Sequence, residues 1–168
     1  LLLAGTGLIG HRHMQHILEH PDLELVGVID PLITDEKIEG VKTYHSLNDV
    51  NNVAEGIILA TPTETHADLT IQSLEMGLHV LVEKPVAASL PEADKMIRAS
   101  EKTGLSILVG HHRRHHPLVN ETINIIKSGK IGRPVAASLM WLMRKQDEYF
   151  DVEWRKGIDG GPIKQNLI

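Results

Sequence analysis

Three groups of residues have types and spacings suited to chemistry. Gly5-Thr6-Gly7-Leu8-Ile9-Gly10 forms a GxGxxG loop, and Asp30 stands 20 residues beyond its last glycine. Glu83-Lys84-Pro85 follows directly on the run His79–Val82. His111, His112, His115 and His116 surround Arg113 and Arg114. The sequence has no cysteine, which removes disulfides, thiolate metal sites and cysteine nucleophiles.

The glycine loop is a weak signal alone and a better one in its setting. It comes straight after the apolar Leu1–Ala4 and opens the helical pattern of Leu8–His20. There Gly5 makes the tight turn, Gly7 lets the backbone approach a pyrophosphate, and Gly10 lets helix and strand pack closely. Leu8 and Ile9 lie at the start of the helix, where free N–H groups and the positive dipole end favour phosphate. Asp30 ends a second apolar run and can accept both ribose hydroxyls of an adenosine. The same carboxylate would repel a 2′-phosphate, and Pro31 rather than an arginine follows it. The expected cofactor is therefore NAD rather than NADP. The plainer alternative is a turn-forming loop, with Asp30 initiating an Asp-Pro turn. Methyltransferases also use a glycine-rich first loop but generally with another spacing.

Ligands on open α/β sheets gather outside the carboxyl ends of the strands. Thr61-Pro62-Thr63 is expected there, covering the ribose and nicotinamide side of the cofactor. His66, one helical turn on, reads equally as lining the cofactor or facing solvent. Glu83 and Lys84 belong to the rim of the sheet. Pro85 has no N–H and restricts Lys84 to extended backbone, which fixes the direction of the lysine side chain. A lysine partly withdrawn from water exchanges a proton more readily near neutrality. Oxidising an alcohol with NAD removes a hydride and a proton together, so Lys84 is the candidate catalytic residue for the proton. The alternative is a surface salt bridge made by Glu83. For the histidine cluster, no carboxylate or cysteine is near in sequence and two arginines would repel a cation, so no metal is expected. His112 and Arg113 are candidates for a polar substrate pocket, against the alternative of an interdomain linker.

The elements that must position these residues alternate. Leu1–Ala4, Leu23–Ile29, Val41–Tyr44, Gly56–Ala60, His79–Val82 and Leu105–Gly110 read as strands. Helices are expected over Leu8–His20, after the Thr61-Pro62-Thr63 turn to about Met76, and from Ser89 to near Thr103. Ser46 with Asp49 and Ser89 with Glu92 have capping-box spacing, and Gly77 and Gly104 stand where helices end. Residues 31–40 read as polar and irregular. Strand–helix repetition with short connections implies a doubly wound parallel sheet, the Rossmann arrangement. After residue 112 the rhythm changes: a helix over Pro117–Ser128, then a long strand over Val135–Met143. The expected division is a dinucleotide-binding domain over 1–112 and the beginning of an α/β domain over 113–168.

The 168 residues suggest one domain and part of another at ~150 residues each. Apolar content is 42%, enough for a core, and Lys+Arg 17 against Asp+Glu 22 leaves a net charge of −5. Such a chain lacks the clustered positive charge that nucleic acid requires. No apolar run approaches the ~20 residues needed to span a bilayer. No membrane partner is expected, and a cytoplasmic location suits a cysteine-free chain. The first residue is Leu, and the chain reads as a fragment that begins inside a strand.

Gly5–Gly10, Asp30, Ala60-Thr61-Pro62 with His66, Glu83-Lys84-Pro85, Gly110-His111-His112-Arg113-Arg114, Trp154-Arg155 and Gly160-Gly161 occur in an order that resembles the glucose–fructose oxidoreductase / inositol dehydrogenase / rhizopine-catabolism (Gfo/Idh/MocA) family. The resemblance covers essentially the whole chain, and Glu-Lys-Pro in this company is its most specific part. It implies a Rossmann domain followed by an α/β domain with a large, mostly antiparallel sheet, here incomplete, that often forms the oligomer interface. It implies a pyridine-nucleotide dehydrogenase of sugars, polyols or related cyclic compounds, forming a homo-oligomer at full length. It assigns Lys84 to the active site, Glu83 to the cofactor's neighbourhood, and Trp154 and Arg155 to a segment approaching the nicotinamide or substrate. Many members carry an Asp four residues before an active-site His. Here Gln165 stands at the Asp position and the His would follow Ile168, so the fragment itself is expected to be inactive. The short 31–40 connection implies a more open adenine side.

Three functions compete. An NAD-dependent dehydrogenase needs Lys84 in proton transfer. A non-catalytic dinucleotide-binding sensor needs only the glycine loop and Asp30. A metal-dependent hydrolase would use the histidine cluster.

Overall fold

A computed structural model describes residues 1–51, 54–138, 140, 142, 144 and 146–151. The chain divides into two units, Leu1–Gly110 and His111–Ile168.

In the first unit the apolar runs form short strands: β1 (Leu2–Ala4), β2 (Gly27–Ile29), β3 (Lys37–Ile38), β4 (Val41–Tyr44), β5 (Gly56–Leu59), β6 (His79–Val82) and β7 (Ile107–Val109). They make one sheet in the order β3-β4-β2-β1-β5-β6-β7. All pairs are parallel except β3 with β4. Helices α1 (Leu8–Glu19), α2 (His66–Glu75) and α3 (Leu90–Thr103) connect them. Successive side chains of a strand point to opposite faces, so the sheet feeds two cores. Leu2, Ala4, Ile57, Leu59, Val80 and Val82 join Leu74 of α2 and Met96 of α3 in one. Leu3, Val28 and Ile58 join Met14 and Ile17 of α1 in the other. Strand order reverses between β1 and β5, which opens a crevice at their carboxyl ends. This is the doubly wound α/β Rossmann sheet that the strand–helix rhythm predicts.

Local signals act where they are expected. Ser89 and Glu92 close a reciprocal capping box on α3, and Gly104 ends that helix at φ 71°. Ser46 and Asp49 do the same on the 3-10 turn Leu47–Asp49. Three expectations differ. The strand expected over Leu23–Ile29 begins only at Gly27; Leu23 is largely exposed and lies outside the sheet. Residues 31–40 are not wholly irregular. Glu39 and Gly40 both have positive φ, 50° and 80°, which is the backbone of a two-residue hairpin turn. The hairpin lays β3 against β4 where a crossover helix would otherwise run. In the second unit, α4 (Pro117–Lys127) forms as expected. The strand expected over Val135–Met143 is not formed by the described residues of that stretch. Val135, Met140 and Leu142 are exposed. Apolar alternation makes a strand only where a neighbour supplies backbone partners, and among the described residues none pairs with it.

Candidate functional site

The site is built from four chain segments at the carboxyl edge of the sheet. The first is the loop after β1. Gly5 has φ +93°, and a Cβ there would lie 2.5 Å from the carbonyl oxygen of Ala60, which follows β5. Its N–H donates to Ile29 O at 2.8 Å, and Ala60 N–H donates to Ala4 O at 2.8 Å. The turn is thus continuous with the ladders on both sides. A Cβ on Gly10 would collide with the Gly5 carbonyl group, whose carbon would be 2.9 Å away. Gly10 therefore sets the close approach of α1 to β1. Gly7 is different: a Cβ there meets nothing within 4 Å. The space above it is open.

Gly7 is the N-cap of α1, with no side-chain cap and no acidic residue in the first turn. By contrast α3 is closed by Ser89 and Glu92, and α4 by the His116 ring. The N–H groups and positive dipole end of α1 are not neutralised by any capping or first-turn side chain. Open space over Gly7 and an uncapped helix end are what a pyrophosphate requires, so the residues present fit a dinucleotide.

Asp30, after β2, is half-buried. Its Oδ2 accepts from Thr6 N–H at 2.9 Å and from Thr6 Oγ1 at 2.7 Å, and its Oδ1 accepts from Leu32 N–H at 3.0 Å. Burial works to raise its pKa, but these hydrogen bonds outweigh it and the carboxyl is held below its ordinary value. Asp30 is thereby an ionised anchor for the glycine loop. Thr6, the loop's only hydroxyl, carries no signal of this in its spacing and is a residue that sequence reasoning missed.

His66 is 1% exposed, which overturns the solvent-facing alternative. Its Nδ1 lies 2.8 Å from Pro85 O and its Nε2 2.9 Å from Thr61 O. The ring stitches the loop after β5 to the loop after β6. Within the loop after β5, Thr65 Oγ1 lies 2.8 Å from both Thr61 Oγ1 and Pro62 O, with one proton to share between them. Pro62 is exposed and Thr63 half-buried at this edge.

Glu83 and Lys84 are half-buried after β6, and the Lys84–Pro85 peptide is cis. Glu83 Oε1 lies 2.9 Å from His13 Nε2 of α1, and Glu83 Oε2 accepts from Lys84 N–H at 3.2 Å. Burial works to raise the Glu83 pKa; the His13 hydrogen bond, the Lys84 N–H and the nearby positive charges overcome it and hold the carboxyl low. A Cβ on Gly110, after β7, would lie 2.8–3.0 Å from the Glu83 carboxylate, so that glycine leaves room for it. His13 and Gly110 are further residues that spacing did not reveal, because their partner is distant in sequence.

Gly5–Gly10, Asp30, Thr61–His66 and Glu83–Pro85 are therefore linked through direct contacts. His112 and Arg113 lie on an exposed 3-10 turn, His112–His115, of the second unit. Trp154, Arg155, Gly160, Gly161 and Gln165 lie outside the described residues. Among the described residues, no group of three or more His, Asp or Glu is disposed to hold a metal ion, and no helix is long and apolar enough to cross a membrane. A polar groove of about 430 Å³ follows the β3–β4 hairpin, lined by Thr34–Lys37, Lys42, Thr43 and His45, and shares no residue with the loop or Asp30.

Comparison with known proteins agrees with this geometry. Residues 1–111 match the family model for an oxidoreductase family with an NAD-binding Rossmann fold, GFO_IDH_MocA. The chain is 32% identical over 139 residues to 4-carboxy-2-hydroxymuconate-6-semialdehyde dehydrogenase of a Sphingobium species, covering 78% of this chain and 44% of that one. It is 32% identical over 143 residues to scyllo-inositol 2-dehydrogenase (NAD(+)) of Bacillus subtilis, covering 79% and 41%. A crystal structure of the WlbA dehydrogenase from Bordetella pertussis, in complex with NADH and UDP-GlcNAcA, superposes with a TM-score of 0.73 at 29% identity, covering 79% and 42%. The chain spans less than half the length of these relatives. With the glycine loop, Asp30 and Glu83-Lys84-Pro85 at one sheet edge and the family model matching two thirds of its residues, the chain belongs to the Gfo/Idh/MocA oxidoreductases, a family built on the NAD-binding Rossmann fold.

Proposed function

We propose that this chain is the cofactor-binding part of an NAD-dependent dehydrogenase acting on a secondary alcohol of a sugar, polyol or related cyclic compound. The observation that carries the proposal is the pairing of an open, uncapped phosphate cradle at Gly7 with Lys84 tied into the same sheet edge through Glu83, His13 and the His66–Pro85 contact. Gly5, Gly7, Leu8, Ile9 and Gly10 would bind the pyrophosphate and Asp30 the adenosine ribose. Thr61, Pro62, Thr63 and Glu83 would border the nicotinamide half, with His66 holding two of those loops in place. When bound, nicotinamide accepts the hydride from the carbinol carbon. The Lys84 amine takes up or steers the hydroxyl proton as the C–O bond becomes a carbonyl. Substrate contacts are assigned to Lys84, His112 and Arg113, with Trp154 and Arg155 approaching the cofactor or substrate. Residues 1–112 would form the cofactor domain and 113–168 the start of a substrate and oligomerisation domain, in a cytoplasmic homo-oligomer.

Replacing Lys84 by Met in a protein that carries the complete second domain tests the proposal. NADH binding is expected to persist, while NADH formation with polyols falls by about 10²-fold or more. Undiminished turnover would remove Lys84 from catalysis. Absence of turnover in the unsubstituted protein, with NADH binding intact, would favour a dinucleotide-binding sensor. The charge of Asp30 supports NAD over NADP: in fluorescence titration NADH should bind at least about tenfold tighter than NADPH, and tighter NADPH binding would refute the assignment.

A further inference from the structure

We propose that Thr6 is a specificity-determining residue, whose hydroxyl oxygen accepts a hydrogen bond from the cofactor's adenosine ribose beside Asp30. The inference rests on the dinucleotide site proposed above and extends it to a residue that no motif assigns. It follows from hydrogen-bond supply. An ionised carboxylate has about four acceptor positions. Asp30 has three of them filled by the protein, two on Oδ2 by Thr6 and one on Oδ1 by Leu32 N–H. Among the described residues no fourth donor reaches it. Asp30 alone therefore retains about one acceptor position, too few for both hydroxyls of a vicinal diol. A threonine hydroxyl has one donor and two acceptor lone pairs. The Thr6 proton is committed to Asp30 Oδ2 at 2.7 Å, and no other donor among the described residues reaches its oxygen. Thr6 Oγ1 is thus an acceptor next to the carboxylate, and both residues are half-buried rather than sealed in the core. Together they offer the two acceptors that a diol needs.

The same pair rejects a 2′-phosphate twice over. A phosphate offers acceptors and no proton to share, so it meets the Asp30 charge and the lone pairs of Thr6. For Thr6 to donate to the phosphate, it would have to release Asp30. The preference for the unphosphorylated ribose thus resides in the pair, with Thr6 also holding the carboxylate in place.

The full chain, its T6V variant, its T6A variant and its T6S variant are titrated with NADH and with NADPH by fluorescence, below the melting temperature of each. Valine keeps the shape and the backbone N–H but removes the hydroxyl, which returns one Oδ2 position to Asp30 yet leaves that carboxylate held by the Thr6 and Leu32 N–H groups alone; serine keeps the hydroxyl. NADH affinity is expected to fall about five- to tenfold in T6V and T6A, and to stay within about twofold in T6S. NADPH is expected to lose less, so the ratio of the two dissociation constants shrinks. Should T6V fail to fold, T6A reads the same loss. Unchanged NADH affinity in the hydroxyl-free variants, or a T6S loss as large as theirs, would overturn the role of Thr6 and leave NAD binding standing. Failure of the unsubstituted chain to bind NADH would overturn the dinucleotide site and this inference with it.

Discussion

Gly7 and Gly10 belong to one motif, yet their surroundings differ, and alanine at each should give opposite results. Gly7 has φ −65° and ψ −176°, a conformation open to any residue, and its added methyl would meet no protein atom within 4 Å. Alanine loses the small N-cap preference for glycine, worth under about 1 kcal/mol. Reduced freedom of the unfolded chain returns about 0.4–1 kcal/mol. Stability of Gly7→Ala should therefore stay within about 1 kcal/mol of the parent. The methyl would instead occupy the space in which a pyrophosphate approaches the α1 amides. Forcing an extra methyl into a filled contact costs about 1–3 kcal/mol, or roughly 5- to 150-fold in NADH dissociation constant. Gly10→Ala drives its methyl into the Gly5 carbonyl group, rigid backbone that cannot turn aside. About 3 kcal/mol of stability should be lost there, lowering the melting temperature by about 6–12 °C. Urea unfolding and thermal melts report the first quantity and NADH fluorescence titration the second. Equal destabilisation by the two substitutions, or NADH binding unimpaired in Gly7→Ala, would refute the assignment of Gly7 to a phosphate.

Two further outcomes follow from the hydrogen bonds. His66→Leu removes the ring nitrogens that face the Thr61 and Pro85 carbonyls and should cost about 1–3 kcal/mol in urea unfolding; an unchanged midpoint would show that the ring holds neither loop. Glu83 has a folded pKa held below its unfolded one, so its stabilising contribution is complete above the unfolded value of about 4.3 and is lost as pH falls through the folded value. Unfolding free energies between about pH 6 and about pH 3 should accordingly fall less steeply in Glu83→Gln than in the parent, and parallel profiles would contradict that.

Much of the cofactor half was legible because its signals are local. Gly5 is needed where the loop passes Ala60 and Gly10 where α1 passes the Gly5 carbonyl, and Ser89, Glu92 and Gly104 encode the ends of α3 within a few residues of themselves. The hairpin at Glu39-Gly40 was less visible. A two-residue strand has almost no pattern, and positive φ at a glutamate is not written in its type. Least visible were partnerships across the sheet. Thr6 with Asp30, His13 with Glu83, and Gly110 against the same carboxylate depend on which strand ends become neighbours, and strand order is decided by the packing of both cores. His66 is the instructive middle case. Its place one turn after Thr61-Pro62 was clear, but its burial follows from the approach of Pro85, a residue 19 positions away.

The Gly5 turn is fastened to Ile29 on one side, its neighbour Ala4 to Ala60 on the other, and Thr6 is tethered twice to Asp30. A ligand arriving at this lip meets a surface already set in shape, with little chain left to freeze. Ordering costs that a floppy loop would charge against affinity are thus met when the domain folds. Cofactor capture should then owe its strength to fit at the lip, and loosening any of these fastenings would surface as a quicker escape.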